Sequence, residues 1–260
     1  MPTSPELAAL ESQFGAVALA LPRVAAVFTL VPFLTTQMIP GLARAGLILM
    51  TALFMAPAAA DMPPLGISLW VLVAAKEALI GTLLGLGFCV FIWALQSVGE
   101  LVDLQTGSSN AAFFDPLGGH QGGPTSQLLG WLVITLFVSA GGLAALLAAL
   151  ADSYRLWPVA SFFPRPGPVL EQFAVRKGDI FFLWTVKLAA PVILVLLLAE
   201  LGMGLVSRMA PQLNVFVFAQ PLKSLLAVLM LLLFLGLVYD ALQGFMQPDN
   251  GVLAFLRAAL

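Results

Sequence analysis

The chain has 260 residues, of which 61% are hydrophobic and 9% are charged, and its formal net charge is −2. Soluble domains carry about 25% charged residues. This composition therefore excludes an ordinary water-soluble globule and indicates an integral membrane protein or a subunit of a lipid-embedded complex. The small net charge gives no indication of a nucleic-acid partner, and the single cysteine, Cys89, excludes an intrachain disulfide.

The N-terminal residues do not resemble a secretory signal. Residues 1–13 contain Glu6 and Glu11 and no basic residue, whereas a signal peptide begins with a positively charged region. We therefore expect the chain to keep its N-terminus.

Apolar runs with the length of helices follow one another along the chain. A membrane-spanning helix needs about 20 mostly apolar residues, and the runs lack the polar–apolar alternation of barrel strands. The sequence therefore predicts an all-α, multi-helix integral membrane protein with about six apolar helical segments. These segments cover residues 14–31, 42–60, 65–98, 128–151, 180–203 and 216–242.

Charged residues and prolines interrupt several of these runs. A charge at mid-bilayer is costly and normally faces protein or water, and a proline frees a carbonyl that a neighbour must satisfy. We expect these helices to pack against other protein over much of their surface. The alternative is that the lysines snorkel or pair locally. The interrupting residues are Pro22 and Arg23 in the first run, Lys76 and Glu77 in the third, and Lys187, Pro191 and Glu200 in the fifth.

Small residues in the third run predict close helix packing. Gly81 and Gly85 have the GxxxG spacing that lets two helix backbones approach each other. The motif is common in apolar helices, so it does not indicate which helix is the partner.

The charges of the loops give a contradictory orientation. Residues 96–124 contain no basic residue, whereas residues 152–179 contain four. The positive-inside rule then places the first loop outside and the second in the cytoplasm. The last loop, with Arg208 and Lys223, would lie outside against the same rule, so a simple hairpin topology is not expected.

The most polar long segment covers residues 96–124 between two apolar runs. A loop of this length is usually functional or disordered, and the adjacent Phe113 and Phe114 argue against disorder. Asp115 precedes Pro116 and so indicates a turn, because the residue before a proline is driven out of helical conformation. The residue types favour an interfacial anchor or a core contact for the two rings. The alternative is an apolar constriction that excludes water from a pore.

Catalytic or metal chemistry has little support in this segment. His120, the only histidine, lies among glycines, and it forms no recognised metal-binding spacing with Asp103 or Asp115. The glycines at 118–123 lack the Lys-Ser/Thr end of a phosphate-binding loop. Glu100 and Asp103 lie one helical turn apart and form either a proton relay or, as we favour, a solvated or capping pair. The sequence thus predicts no catalytic, cofactor-binding or metal-binding residue.

A second distinctive stretch covers residues 152–158. Asp152 and Arg155 can pair at i,i+3 on a helix, and Tyr154 and Trp157 suit a membrane–water boundary. An ordinary interfacial helix end explains all of these features without a function.

Four stretches carry a more specific signal because they occur together and in order. They are GELVDLQTG (99–107), FFDPLGG (113–119), DSYRLWPVASFFP (152–164), and APQLNVF with QPLKS (210–224). Together they resemble the SctT/FliR family, the export-gate subunits of type III secretion systems, over nearly the whole chain. The YRLWPV stretch is more similar to the injectisome branch (SctT) than to the flagellar branch (FliR).

The resemblance implies a subunit of the bacterial inner membrane that projects partly on the periplasmic side, with no enzymatic activity and no cofactor. It implies an SctR-like part, residues 1–164, followed by an SctS-like helical pair, residues 165–260, in one continuous structural unit. One copy is expected to join several SctR and SctS subunits. Further expected partners are SctU, SctV, inner-rod or needle proteins, secreted proteins in transit and membrane lipid.

The resemblance further implies a plug loop across the closed pore, which motif matching assigns to residues 105–123. Its implied residues are Gln105, Gly107, Ala111, Ala112, Phe113, Phe114, Asp115 and Pro116. Charges with an expected structural or coupling role are Glu100, Asp103, Asp152, Arg155, Lys187, Glu200 and Lys223.

Three alternatives stay open at this point. The nearest is the flagellar export homologue. The second is a secondary transporter of small molecules that uses the charges embedded in the third and fifth runs. The third is an intramembrane enzyme that uses Asp103, Asp115 and His120.

Overall fold

The computed structural model describes residues 5–36, 38–56, 66–108, 122–161, 166–210, 212 and 215–246. Within these residues there are eight α-helices, one short 3-10 helix and no β-strand. The predicted all-α, multi-helix fold is confirmed.

The helices follow the predicted apolar runs in order. The first group is α1 (Pro5–Leu30), the 3-10 helix (Pro32–Leu34), α2 (Gly41–Met55) and α3 (Ile67–Thr106). The second group is α4 (Pro124–Ser139), α5 (Gly142–Leu156), α6 (Pro166–Met209), α7 (Val215–Leu233) and α8 (Leu235–Met246).

Two of the predicted runs form bent pairs of helices instead of single helices. The run at 128–151 breaks between α4 and α5. Gly141 lies at this break with φ +84°, a left-handed conformation that glycine adopts without the steric cost of a Cβ. The run at 216–242 breaks between α7 and α8, which meet at 46°. Hydropathy alone does not register either bend, because apolar residues continue through both.

Among the described residues, three helices are long and apolar enough to cross a membrane, and up to five spans result if each bent pair counts as one. They lie at Gln13–Leu30, Ile67–Thr106 and Lys177–Met209. Packing within the chain buries 67% of the residues in the apolar stretch of α3 but only 28% of those in the apolar stretch of α6. Most of the apolar surface of α6 therefore faces outward, to lipid or to other protein.

The helix α3 is longer than the sequence predicts. The sequence predicts a loop from residue 96, but α3 continues to Thr106. Val98 and Val102, one turn apart, are both buried at 2% exposure or less, so the apolar face of the helix extends into the polar stretch. The helix ends where Gly107 adopts φ +75°, which is a common way for glycine to terminate a helix. The predicted loop is too long, because the polar residues after position 96 continue the helix instead of ending it.

The chain divides into two compact units. Unit 1 contains α1, α2, the part of α3 up to Cys89, α5 and the start of α6 up to Lys177. Unit 2 contains α3 from Val90, α4, α6 from Gly178, α7 and α8. The division after residue 164 into an SctR-like part and an SctS-like helical pair concerns resemblance to other subunits, and it stays a prediction.

Within unit 1, α1 and α3 approach closely at the GxxxG motif. A Cβ added to Gly81 would overlap the backbone carbonyl oxygen of Arg23 and lie 2.9 Å from the Cβ of Ala26. A Cβ added to Gly85 would lie 3.0 Å from the Cβ of Leu30. The partner that the motif left unspecified is therefore α1.

Replacing Gly81 with alanine is expected to lower the free energy of unfolding by about 1–3 kcal/mol, because the new methyl group forces two helix backbones apart. The matched control is Gly202→Ala on α6, where nothing lies within 4 Å of the added Cβ. That change should stabilise the helix by up to about 1 kcal/mol. Thermal unfolding in detergent checks both signs, and a shift in the same direction for the two variants would contradict the packing described.

Unit 2 has its own core where α3, α6 and α7 meet. Val102 of α3, Val192 and Leu196 of α6, and Ala227 of α7 are each at most 3% exposed. Partly buried side chains of α7 and the following turn complete this core, namely Leu226, Met230, Leu231 and Phe234. This packing fixes the end of α3, from which the first candidate site is built.

Candidate functional site

The first candidate site is a buried carboxylate beside the beginning of α4. Asp103, on the last turns of α3, is 1% exposed. Its Oδ1 accepts a hydrogen bond from the backbone N–H of Thr125 at 3.1 Å, and its Oδ2 accepts one from the N–H of Ser126 at 2.9 Å. The N-cap residue of α4, Gly123, has no side chain to do this. Asp103 therefore caps α4 from another helix, and its negative charge suits the positive end of the helix dipole.

The same carboxylate also binds the residue that follows α3. The Ser108 hydroxyl donates to Asp103 Oδ1 at 2.8 Å, and the hydroxyl oxygens of Thr106 and Ser108 lie 2.8 Å apart. Asp103 therefore holds residues on both sides of segment 109–121 at once. We name Asp103, Ser108, Thr125 and Ser126 the Asp103 clasp.

Two glycines allow α3 and α4 to come close enough for the clasp. A Cβ added to Gly123 would overlap the carboxylate of Asp103, and one added to Gly99 would overlap the backbone of Ser126. The Ser126 hydroxyl in turn donates to the carbonyl oxygen of Gln96 at 3.1 Å. The clasp thus depends on the close approach of the α3 and α4 backbones as well as on the carboxylate of Asp103.

Four of the predicted site residues meet at the C-terminal end of α3. Lys223 of α7 donates to the carbonyl oxygen of Gln105 at 3.3 Å and lies 3.0 Å from a carboxylate oxygen of Glu200 on α6. Gly107 is the helix-ending residue two positions further on. The sequence motifs at 99–107 and 220–224 are therefore in contact, although more than a hundred residues separate them.

The second candidate site, in unit 1, surrounds a fully buried arginine. The Nε of Arg23 donates to Glu77 Oε2 at 2.7 Å, its Nη1 donates to the Ser153 hydroxyl at 2.9 Å, and its Nη2 donates to the Trp157 carbonyl at 3.0 Å. The guanidinium carbon lies 3.9 Å from the centre of the Tyr154 ring, a cation–π distance. Arg23 and Glu77 are both 0% exposed.

A lysine completes this buried group. The Nζ of Lys76 lies 2.9 Å from Glu77 Oε1 and donates to the carbonyl oxygens of Pro158, Val159 and Ser161 at 3.1, 2.6 and 3.1 Å. We name Arg23, Lys76 and Glu77 the Arg23 cluster. Its two positive charges face one carboxylate, and the carbonyl dipoles of residues 157–161 compensate the second positive charge. Buried charges need this kind of pairing.

The stretch at 152–158 supplies contacts to the Arg23 cluster. Ser153, Tyr154 and Trp157 all contact Arg23, whereas the side chains of Asp152 and Arg155 form a 3.7 Å pair, 38% and 87% exposed. The sequence suggests an ordinary interfacial helix end here and misses the buried arginine. The available signal was Arg23 itself, a charge inside an apolar run.

Of the other predicted site residues, only Glu100 and Lys187 are described, and neither belongs to one of the two sites. Ala111, Ala112, Phe113, Phe114, Asp115, Pro116 and His120 lie outside the described residues. Glu100 is exposed on α3, and the Nζ of the exposed Lys187 lies 5.1 Å from the centre of the Trp184 ring. In the part of the chain that the structure describes, no group of three His, Cys, Asp or Glu side chains is arranged to hold a metal ion.

Comparison with known proteins places both sites in a matched region. Residues 14–248 match the family described as bacterial export proteins, family 1. The chain belongs to this family. It is 40% identical over 219 residues to the Yop proteins translocation protein T of Yersinia pestis, covering 83% of this chain and 84% of that protein.

Two further relatives extend the comparison. The surface presentation of antigens protein SpaR of Salmonella typhimurium is 32% identical over 238 residues, 91% of this chain and 86% of SpaR. The flagellar biosynthetic protein FliR of Bacillus subtilis is 30% identical over 228 residues, 87% of this chain and 88% of FliR. The resemblance to the SctT/FliR family is thus confirmed, and the chain is a multi-pass membrane protein of a type III export apparatus, which contains other subunits.

Proposed function

We propose that this chain forms part of the wall of a protein-conducting channel in the bacterial inner membrane, and that residues 105–123 seal the closed channel. The observation that carries the proposal is the match of residues 14–248 to export proteins, with 40% identity to a translocation protein. The Asp103 clasp supports it, because a segment that seals a channel against ions must be anchored at both ends. A substrate or the inner rod displaces the segment when the channel opens.

The partners that we propose are several SctR and SctS subunits around one copy of this chain, with SctU, SctV and inner-rod or needle proteins nearby. Residues 1–164 correspond to an SctR-like part and residues 165–260 to an SctS-like pair, projecting partly on the periplasmic side. The outward apolar surface of α6 supports this assembly, since large exposed apolar surfaces mark contacts with protein or membrane. The chain conducts secreted proteins and performs no catalytic step of its own.

The injectisome branch is favoured over the flagellar one. Identity is 40% to the Yop translocation protein T and 30–33% to flagellar FliR proteins. Deletion of the gene should then abolish secretion of injected proteins and leave swimming motility unchanged. A motility defect with normal secretion would assign the chain to the flagellar branch.

Deleting residues 111–114 from the assembled gate is expected to make the membrane permeable to small solutes, because the segment loses both phenylalanines and about 13 Å of reach. The assembly is first isolated with SctR and SctS, and its mass is determined intact. Permeability is then measured in cells and as conductance in a planar bilayer.

The control for this experiment replaces Phe113 and Phe114 with alanine and so preserves the length of the segment. We expect partial leakage from it, since the bulk of the seal is reduced while the connection remains. Wild-type permeability of the deletion variant in an intact assembly would rule out the sealing role. A stable particle of this chain alone, with no partner bound, would overturn the proposed assembly.

A further inference from the structure

Two side chains of α7 hold the last turn of α3. Lys223 donates to the carbonyl oxygen of Gln105 at 3.3 Å. Gln220, one turn earlier on α7, lies against Gly107, where an added Cβ would approach its Nε2 to 2.6 Å. The two contacts fall on adjacent turns of α7 and at the C-terminal end of α3, on Gln105 and on Gly107 just after the helix. A movement of α7 is therefore transmitted directly to this turn.

The ammonium of Lys223 is fixed on a second side by α6. Its Nζ lies 3.0 Å from Glu200 Oε2, and the side chains are 12% and 57% exposed, respectively. The carbonyl groups in the last turn of a helix lack partners within the helix and carry partial negative charge, which a cation stabilises. Lys223 thus connects three helices. It belongs to α7, and its ammonium group contacts Glu200 on α6 and the carbonyl oxygen of Gln105 on α3.

The turn that Lys223 holds is also part of the Asp103 clasp. Asp103 precedes Gln105 by two residues and Ser108 follows it by three, so both α3-side members of the clasp flank the bonded carbonyl. The apolar surface of α6 faces outward over most of its length. A neighbouring subunit that shifts α6 and α7 would therefore act on the clasp through Lys223.

We infer that Lys223 is a positioning residue that couples the placement of α6 and α7 to the clasp end of α3. Its importance for sealing rests on the proposed function. The coupling itself is a property of the described helices and can be measured without reference to transport.

Hydrogen–deuterium exchange on the isolated gate tests the coupling. Lys223→Met keeps the apolar stem and removes the charge, and the amides of residues 105–108 should then exchange about tenfold faster, as expected for loss of one hydrogen bond from a charged group. Lys223→Arg keeps a cationic donor and should retain slow exchange. The matched control is Lys187→Met on α6, an exposed lysine, which should leave residues 105–108 unaffected.

Wild-type exchange at residues 105–108 in Lys223→Met would overturn the inference, and so would equal acceleration in Lys187→Met. If Lys223→Met does not assemble, Glu200→Gln takes its place, because it loosens the ammonium and leaves the lysine present. That variant should accelerate exchange about threefold, in line with a partly exposed ion pair, and unchanged exchange would again overturn the inference.

Solute permeability of the same preparations separates this inference from the proposed function. If the 111–114 deletion leaks, Lys223→Met should leak more than wild type and less than the deletion. If the Lys223→Met gate shows wild-type permeability but fast exchange, the link from Lys223 to sealing is overturned. The sealing role of residues 105–123 is then unaffected. A tight deletion variant would overturn the sealing role, and exchange alone then decides the coupling.

Discussion

Replacing Glu77 with alanine is expected to lower the free energy of unfolding of the chain by about 3–5 kcal/mol, the range for breaking a buried ion pair by removing one partner. The carboxylate of Glu77 lies 2.7 Å from Arg23 Nε and 2.9 Å from Lys76 Nζ, and it is 0% exposed. Without it, two neighbouring positive charges stay buried with no opposite charge between them. Thermal unfolding of the purified chain in detergent, together with its level in the membrane, measures the effect.

The matched control is Glu100→Ala, which removes an exposed acid from the same helix. We expect the control to unfold at the wild-type temperature, because no ion pair is lost. Changing Arg23, Lys76 and Glu77 to methionine together should recover much of the stability lost in Glu77→Ala, since apolar residues of similar volume often replace a buried ion group at little cost. Equal unfolding temperatures for Glu77→Ala and Glu100→Ala would show that the Arg23 cluster contributes nothing to the fold.

Replacing Asp103 with alanine is expected to cost about 2–3 kcal/mol of stability and to make the assembled gate leak. The change leaves the N–H groups of Thr125 and Ser126 and the hydroxyl of Ser108 without their buried acceptor. It also releases both ends of segment 109–121 from each other. Unfolding temperature and solute permeability are measured on the same isolated assemblies.

Asp103→Asn should give intermediate results, because its single carbonyl oxygen can accept from one N–H group while its amide group faces another. The control is Asp152→Ala, which removes an acid whose side chain is 38% exposed and pairs with an exposed arginine. A tight gate in Asp103→Ala, with assembly intact, would show that anchoring of the segment ends is unnecessary for sealing.

The positions and order of the apolar helical segments could be predicted from the sequence, because a run of apolar residues is recognised without knowledge of its partner. The continuation of α3 to Thr106 could not be predicted from polar content. It depends on Val102, whose buried neighbours Val192 and Leu196 on α6 and Ala227 on α7 come from 90 to 125 residues later in the chain. The bend at Gly141 was likewise hidden in an uninterrupted apolar run.

The candidate sites depend still more on distant partners. The sequence indicated that Asp103 could cap a helix, but not that the helix was α4. Arg23 was recognised as an interruption, yet its partners Ser153 and Trp157 lie 130 and 134 residues away. Lys76 and Glu77 pair locally, which is the alternative that the sequence left open, and Glu77 also pairs with Arg23. With Lys76 bound to fixed carbonyl oxygens, the pair has a structural role rather than the mobility a transport path requires.

The exposed apolar surface of α6 has a length that can be compared with the thickness of a membrane. Beyond Asp179, exposed apolar side chains extend from Phe182 to Met209, which at 1.5 Å per residue is a distance of about 40 Å. The hydrocarbon layer of a bilayer is only about 30 Å thick. Lipid alone could cover this surface only at a tilt of about 40°, the extreme of the range for membrane helices. Neighbouring protein over the remaining 10 Å or so would keep the whole surface out of water with the helix nearly upright.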